Sequence, residues 1–131
     1  MRIEGWEARL VEYIDEARNK EFQWGNHDCA LWCARWVELI TGKNHWNDWQ
    51  GKYSTELGAA RLMKKRGFQT AEAIVDHHLH VRPVLLARRG DLVLSSQQTI
   101  GICAGIQSYF LTEDGILNSA TGDCVKAWTV D

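Results

Sequence analysis

The chain has 131 residues, of which 45% are hydrophobic and 24% are charged, and its formal net charge is -2. This length suffices for a hydrophobic core, and the single proline argues against long linkers, so we expect one globular domain. The charge does not indicate a nucleic-acid-binding protein, and no apolar run reaches the roughly 20 residues that cross a bilayer.

The N-terminus does not resemble a secretory signal. Its first ten residues, MRIEGWEARL, are charged and lack the apolar segment of a signal peptide. We therefore expect synthesis as a soluble protein in the cytoplasm, where cysteines are usually reduced. The cysteines are Cys29, Cys33, Cys103 and Cys124.

Two helices are predicted in the first third of the chain. Apolar residues at helical spacing predict an amphipathic helix from about Trp6 to Lys20. A second helix is expected to begin after Asp28, a good N-cap, and to end at Gly42, which suits the left-handed position that follows many helices. Its apolar residues cover more than one face, so we expect this helix to lie deep in the fold.

A polar, tryptophan-rich segment without a period follows, and Lys43 to Tyr53 is predicted to be a loop. Two further helices are predicted after it. The third covers about residues 54–66 and is capped by Ser54 or Thr55, and the fourth covers about residues 70–79 and is capped by Thr70.

After Pro83 the pattern changes to short apolar segments that are separated by turn residues. The predicted strands are Leu92–Leu94, Thr99–Ile106, Tyr109–Thr112, Ile116–Ser119 and Val125–Val130. Helices followed by strands predict an α+β fold, with the helices packed on an antiparallel sheet of about five strands. We expect a single domain over residues 1–131, with a helical half of about 1–82 and a strand half of about 88–131.

Cys29 is the strongest candidate for a nucleophile. It lies where the second helix begins, and unpaired backbone N–H groups and the positive end of the helix dipole favour a thiolate there. His27 and Asp28 precede it, but neighbours along an extended turn point in different directions. The alternative is that Cys29 is a small buried residue between helix and sheet, which is common for free cysteine.

A metal site would need other cysteines. Cys29 and Cys33 form a C-x3-C pair on a helix, whereas Cys103 and Cys124 are isolated, and structural zinc sites usually use C-x2-4-C pairs on loops. We therefore predict no metal and no cofactor, and keep a cysteine-ligated metal site as an alternative. The run from His77 to His80 lacks the i, i+4 spacing that puts two ligands on one helical face.

Asp91 follows Gly90 where the first predicted strand begins. A carboxylate in such a position commonly accepts hydrogen bonds from the backbone N–H groups of a turn. We therefore interpret Asp91 as a residue that stabilises a turn and not as a catalytic residue.

Three motifs follow one another along the chain. They are Trp24-Gly25 with Asp28-Cys29, then Arg89-Gly90-Asp91-Leu92, then Ile100-Gly101-Ile102 ending in Gly105. Their order resembles that of the NlpC-type cell-wall peptidases, which belong to the papain-like cysteine peptidase superfamily. The resemblance implies an NlpC-type fold and covers about residues 6 to 130.

Two further features resemble a branch of small domains encoded by tailed phages and prophages. They are the F-x-W-G-x-x-D-C pattern at Phe22–Cys29 and the ending Ala127-Trp128-Thr129-Val130. The resemblance implies a virion protein of the tail tip or baseplate, with other tail proteins as partners and peptidoglycan peptides as a second class of partner. The loop from Trp46 to Tyr53 is then expected to contact neighbouring tail proteins.

The site residues that the resemblance implies are incomplete. Cys29 takes the nucleophile position, and Asn118 takes the position of the polar residue that orients the catalytic histidine. Thr99 stands where the family has that histidine, and a threonine hydroxyl has no usable pKa for a general base near neutral pH. A Cys–His pair that loses its base loses both thiolate formation and proton delivery to the leaving amine.

Two explanations are open. The peptidase site is degenerate, which makes the protein a pseudoenzyme, or His27 or one of His77, His78 and His80 serves as a substitute base in an active cysteine peptidase or amidase. We favour the degenerate site. Because strand residues alternate between faces, we also expect Thr99, Gly101 and Cys103 to face the second helix, with Gly101 allowing that helix a close approach.

Overall fold

The computed structural model of the protein describes residues 1–131 and has an α+β architecture in which helices precede a sheet. The helices are α1 (Trp6–Arg18), α2 (Cys29–Thr41), α3 (Glu56–Lys65) and α4 (Ala71–His78). The strands are β1 (His80–Arg82), β2 (Leu92–Leu94), β3 (Ile100–Cys103), β4 (Gln107–Thr112), β5 (Gly115–Ala120) and β6 (Lys126–Thr129). Two 3-10 helices cover Val84–Leu86 and Thr121–Asp123. No helix has the length and apolar character needed to cross a membrane.

The helix ends follow the predicted caps. The carboxylate of Asp28 accepts the backbone N–H of Leu31 at the start of α2, and Thr55 and Thr70 cap α3 and α4 in the same way through their hydroxyl groups. Gly42 ends α2 in the left-handed conformation, with φ of 80°. The four predicted helices are therefore confirmed, and residues 43–53 contain no helix or strand.

All strands form one antiparallel sheet in the order β1-β6-β2-β3-β4-β5. The five predicted strands are present, and the sixth is β1, which we placed in the helical half. β1 has only three residues and pairs with β6 at the far end of the chain, with Val81 opposite Trp128. The sheet therefore begins at residue 80 and is not confined to residues 88–131.

The two faces of the sheet belong to different cores. Leu92 and Ile102 pack with α1 and α2 in the larger core cluster, whereas Val93 and Cys103 pack in a smaller cluster on the other face. As expected, α2 lies deep in the fold, and Trp36 at its centre is fully buried. The indole N–H of Trp36 donates to the carbonyl of Gly90 at 2.9 Å, which ties α2 to the turn before β2.

Asp91 is fully buried and stabilises that turn, as predicted. One carboxylate oxygen accepts from the Arg2 guanidinium at 2.8 Å and from the backbone N–H of Val130 at 3.1 Å. The other oxygen accepts from the backbone N–H of Arg88 at 2.9 Å and from the Arg82 guanidinium at 3.4 Å. The Asp91 side chain thus joins both ends of the chain to the start of the central strand.

Candidate functional site

The turn before α2 is organised by the buried carboxylate of Asp28. One oxygen accepts the backbone N–H of Leu31 at 2.9 Å, and the other accepts the backbone N–H of Gly25 at 2.9 Å and the hydroxyl of Tyr53 at 2.6 Å. Because these three donors engage both oxygens of a side chain with no exposed surface, Asp28 has a structural role that accounts for its place in the motif.

Gly25 is required by a close backbone approach. Its φ is 82°, and a Cβ at this position would lie 1.8 Å from the carbonyl oxygen of Tyr53. The carbonyl of Gly25 also accepts the backbone N–H of Gly51 at 2.8 Å. The tryptophan-rich loop is therefore held against the turn that leads into α2.

A cavity of about 450 Å³ lies next to this turn, and 19 of its 25 lining residues are hydrophobic. Cys29, Cys33 and Val37 line it from α2, and Thr99 and Ile100 line it from the start of β3. The opposite wall consists of the loop and of α3 and α4, through Trp46, Trp49, Ala59, Met63, Ile74 and His78. The size and the apolar lining are typical of small-molecule sites.

The loop tryptophans face this cavity. Trp46 and Trp49 are half-buried and line the wall, and the indole N–H of Trp46 donates to Glu38 of α2 at 3.1 Å. The guanidinium of Arg66 lies 4.5 Å from the ring centre of Trp49. Both tryptophans therefore make contacts within the chain, and only their exposed surface is left for the expected contacts with neighbouring proteins.

Cys29 is half-buried and lines the cavity, and its environment favours the neutral thiol. Burial, followed by the nearby Asp28 carboxylate, raises the pKa of the Cys29 thiol from 9.0 to about 11. Backbone N–H groups of Ile100, Ala30 and Cys29 itself act in the opposite direction but do not compensate. The helix terminus therefore does not make this cysteine a thiolate at neutral pH.

Thr99 lies beside the same cavity, immediately before β3. Its backbone N–H donates to the hydroxyl of Ser95 at 3.1 Å, and its carbonyl accepts the backbone N–H of Ser95 at 2.9 Å. These bonds close the hairpin between β2 and β3. The position where the resemblance places a catalytic base is thus occupied by a residue that stabilises a turn, and no imidazole hydrogen-bonds to the Cys29 thiol.

Two histidines line the cavity. One is His78 at the end of α4, and the other is His45, whose position could not be predicted from the sequence because it lies in a loop without a period. Their rings stack with centres 4.2 Å apart. Burial lowers the pKa of both, and for His78 the neighbouring His45 adds to this effect. Both imidazoles are therefore neutral at pH 7.

The other histidines lie elsewhere. His77 and His80 are exposed and do not line the cavity. His27 is buried in a separate cavity of about 70 Å³ together with Trp32 and Arg35. Burial and nearby cations lower the pKa of His27. The structure thus places His27 away from the cavity that Cys29 lines.

Asn118 is not brought to Cys29. It is exposed on β5, two strands from β3 in the sheet, and it pairs with Tyr109 of β4. Its side-chain amide donates to the Gln107 side chain at 2.9 Å. An orienting role for Asn118 therefore has no support in the geometry, because a side chain two strands away cannot position a group at residue 99.

The cysteines lie on both faces of the sheet. Cys33 of α2 belongs to the larger core cluster, between the helices and the sheet, whereas Cys103 and Cys124 belong to the smaller cluster on the other face of the sheet. All four are free thiols, and they cannot converge on one metal ion. No group of three or more histidine, cysteine, aspartate or glutamate side chains is arranged to hold a metal.

The prediction that Gly101 and Cys103 of β3 face α2 is also wrong. Ile100 and Ile102 pack toward α2, so Gly101 and Cys103 face away from it. A Cβ on Gly101 would lie 2.4 Å from the ring of Phe110 and from the carbonyl of Tyr109. The glycine therefore makes room for a side chain of the neighbouring strand and not for the helix.

Comparison with known proteins assigns the chain to a family but finds no individual relative. No curated protein and no solved structure matches the chain. A family profile described as "Domain of unknown function (DUF6950)" matches residues 1–130, nearly the whole chain. The protein therefore belongs to the DUF6950 family.

Proposed function

We propose that the protein is a structural component of a phage or prophage tail tip or baseplate, built on a papain-like NlpC-type scaffold with a degenerate peptidase site. The motif order along the chain supports the scaffold and the tail assignment. The observation that supports the loss of catalysis is that Cys29 and Thr99 line the same cavity and that no imidazole hydrogen-bonds to the Cys29 thiol.

The charge of the cavity supports the same proposal. No lysine or arginine is among its lining residues, and the Asp28 carboxylate is fully engaged by its three donors. Peptidoglycan stem peptides carry free carboxylates, which bind best beside cationic side chains. This cavity offers no such side chain, so it is poorly suited to cell-wall peptides.

The thiol reactivity of Cys29 tests the loss of catalysis. With a pKa of about 11, the Cys29 thiolate is about 100-fold less populated at pH 8 than that of a thiol with a pKa of 9.0. We expect iodoacetamide to modify Cys29 with a rate that rises up to about pH 11, as followed by peptide mass mapping. A rate plateau below pH 7 would reveal an activated thiolate and overturn the proposal.

A cleavage assay tests the same point directly. Purified protein and the Cys29→Ala variant are incubated with defined muropeptides, and the products are separated by liquid chromatography and mass spectrometry. We expect no cleavage by either protein. Cleavage by the wild type that disappears in Cys29→Ala would show that the site is a working peptidase.

The tail assignment needs its own test. After induction of the phage or prophage that encodes the protein, particles are purified and their proteins are identified by mass spectrometry. We expect the chain in tailed particles and in isolated tails. Its presence in the cell lysate together with its absence from purified particles would refute a role in the tail.

A second candidate is an active cysteine hydrolase that cleaves amide bonds in peptidoglycan during DNA ejection. The observation that favours it is that His45 and His78 line the same cavity as Cys29. If the muropeptide assay shows cleavage, His45→Gln and His78→Gln identify the base, because only the variant without it loses turnover while its fold is kept. Unchanged turnover in both would exclude these histidines.

A further inference from the structure

The wall formed by α3 and α4 does not pack closely on α2. Neither helix has a fully buried residue, although both have apolar faces. Ala59 and Met63 of α3 and Ile74 of α4 line the cavity and do not pack against the core cluster, whereas Val75 of α4 both lines the cavity and packs against that cluster. Apolar surface that faces an open cavity loses the stabilisation that burial would provide.

The shape of the site corresponds to a compact ligand. The cavity of about 450 Å³ lies within the range of roughly 300–1,000 Å³ that is usual for small-molecule sites. Its walls include Trp46 and Trp49, and tryptophan side chains supply a large apolar contact area. A ligand between them would contact α2 on one side and α3 and α4 on the other.

The charge of the site limits the chemistry of that ligand. Its lining contains no lysine or arginine, and Glu56 is exposed in the first turn of α3. An anionic group in this cavity would lose water without gaining a cationic partner, which is costly in an apolar environment. The thiol of Cys29 and the imidazoles of His45 and His78 are neutral at pH 7 for the reasons given above.

From the size, the apolar walls and the absence of lysine and arginine from the lining, we infer that the cavity between α2, α3 and α4 binds a neutral, largely hydrocarbon small molecule. This inference deepens the proposed function, because it gives a ligand class to the same site once peptidase chemistry is absent from it. Ligand binding would join the α3–α4 wall to α2 through contacts that the empty cavity lacks.

A pair of fluorescent probes tests the inference. N-phenyl-1-naphthylamine is neutral, and 8-anilino-1-naphthalenesulfonate has the same aromatic skeleton with a sulfonate. We expect saturable 1:1 binding of the neutral probe with a blue-shifted emission, and at least about tenfold weaker binding of the sulfonate. Equal affinities, or no saturable binding of the neutral probe, would overturn the inference.

A filling variant locates the bound probe. Ala34 lines the cavity from α2, so Ala34→Phe places a ring in the cavity, whereas Ala8→Phe adds the same ring at an exposed position of α1. We expect Ala34→Phe to weaken binding of the neutral probe at least about tenfold and Ala8→Phe to change it less than about twofold. Equal binding by both folded variants would place the probe elsewhere and refute the assignment.

A protection experiment also tests whether the probe binds in the cavity, and it needs no substitution there. Cys29 lines the cavity, so a bound probe covers its thiol. We expect saturating N-phenyl-1-naphthylamine to slow iodoacetamide modification of Cys29 at pH 10 at least about fivefold, by mass action at a site that is mostly occupied. An unchanged rate under saturation would overturn the inference. Since this readout does not involve peptide cleavage, its failure is distinguishable from detected peptidase activity.

Discussion

Replacing Asp91 with alanine is expected to cause a large loss of stability. The buried carboxylate accepts from two guanidinium groups and two backbone N–H groups, and Arg2, its closest ionic partner, has a side chain that is only 9% exposed. Removing one partner of a buried ion pair typically costs about 3–5 kcal/mol, because the remaining charge is left uncompensated. The two backbone N–H groups of Arg88 and Val130 also lose their acceptor, although these contributions do not simply add.

We therefore expect Asp91→Ala to lower the free energy of unfolding by about 4 kcal/mol, a large part of the 5–15 kcal/mol that is usual for a domain. Equilibrium unfolding in urea, followed by circular dichroism, measures this change. Asp114→Ala is the matched control, because Asp114 lies in an exposed turn and its side chain makes no hydrogen bond or ion pair, so a change within about 0.5 kcal/mol is expected.

A double-mutant cycle separates the ion pair from the other effects. The cycle combines Asp91→Ala with Arg2→Met, which keeps most of the apolar stem of the arginine. Because Arg2 contacts Asp91 directly, we expect the two changes to be non-additive by more than about 1 kcal/mol. A cost of Asp91→Ala below about 1 kcal/mol, or additive changes, would refute the structural role assigned to Asp91.

Three further predictions follow from the packing and the titrating groups. Gly101→Ala should destabilise the protein by about 3 kcal/mol or more in the same urea assay, because a Cβ would lie 2.4 Å from atoms of the neighbouring strand; a cost below about 1 kcal/mol would contradict this contact. Tyr53→Phe should cost about 2 kcal/mol, since the charged Asp28 loses a hydrogen bond of 2.6 Å, and an unchanged unfolding midpoint would argue against that bond. Burial lowers the pKa of His45 and His78 in the folded state, so the unfolded chain binds more protons below about pH 6.5 and stability should fall as the pH drops from about 7 to 5. The double variant His45→Gln and His78→Gln should lose less stability over this pH range. The same pH dependence of stability in this variant and the wild type would show that these two histidines do not cause it.

The helices could be predicted because their ends depend on local chemistry. Asp28, Thr55 and Thr70 each accept a backbone N–H three residues ahead, and this spacing is visible in the sequence. Strand β1 could not be predicted in the same way. His80–Arg82 is too short to show an alternating pattern, and it becomes a strand because it pairs with residues near the other end of the chain.

In the candidate site, too, some features follow from the local sequence and others depend on the tertiary structure. Cys29 and Thr99 could be singled out because each belongs to a motif next to a helix or strand end, and both line the same cavity. The alternation counted from Thr99 gave the wrong facing for Gly101, since Thr99 precedes β3 and belongs to the hairpin turn. His45 reaches the cavity only through the path of an irregular loop, for which neither helical nor strand periodicity gives a direction.

The motif that resembles a peptidase has a structural role in this fold, whether or not the site is catalytic. Asp28 caps α2, binds the backbone of Gly25 and accepts the Tyr53 hydroxyl, so it holds together the turn, the helix and the loop. The same carboxylate contributes to the raised pKa of the Cys29 thiol, which opposes the activation that a nucleophile needs. A Trp-Gly and Asp-Cys pattern therefore does not by itself distinguish a peptidase from a binding domain. The distinction depends on the residue at position 99 and on the charges that line the cavity.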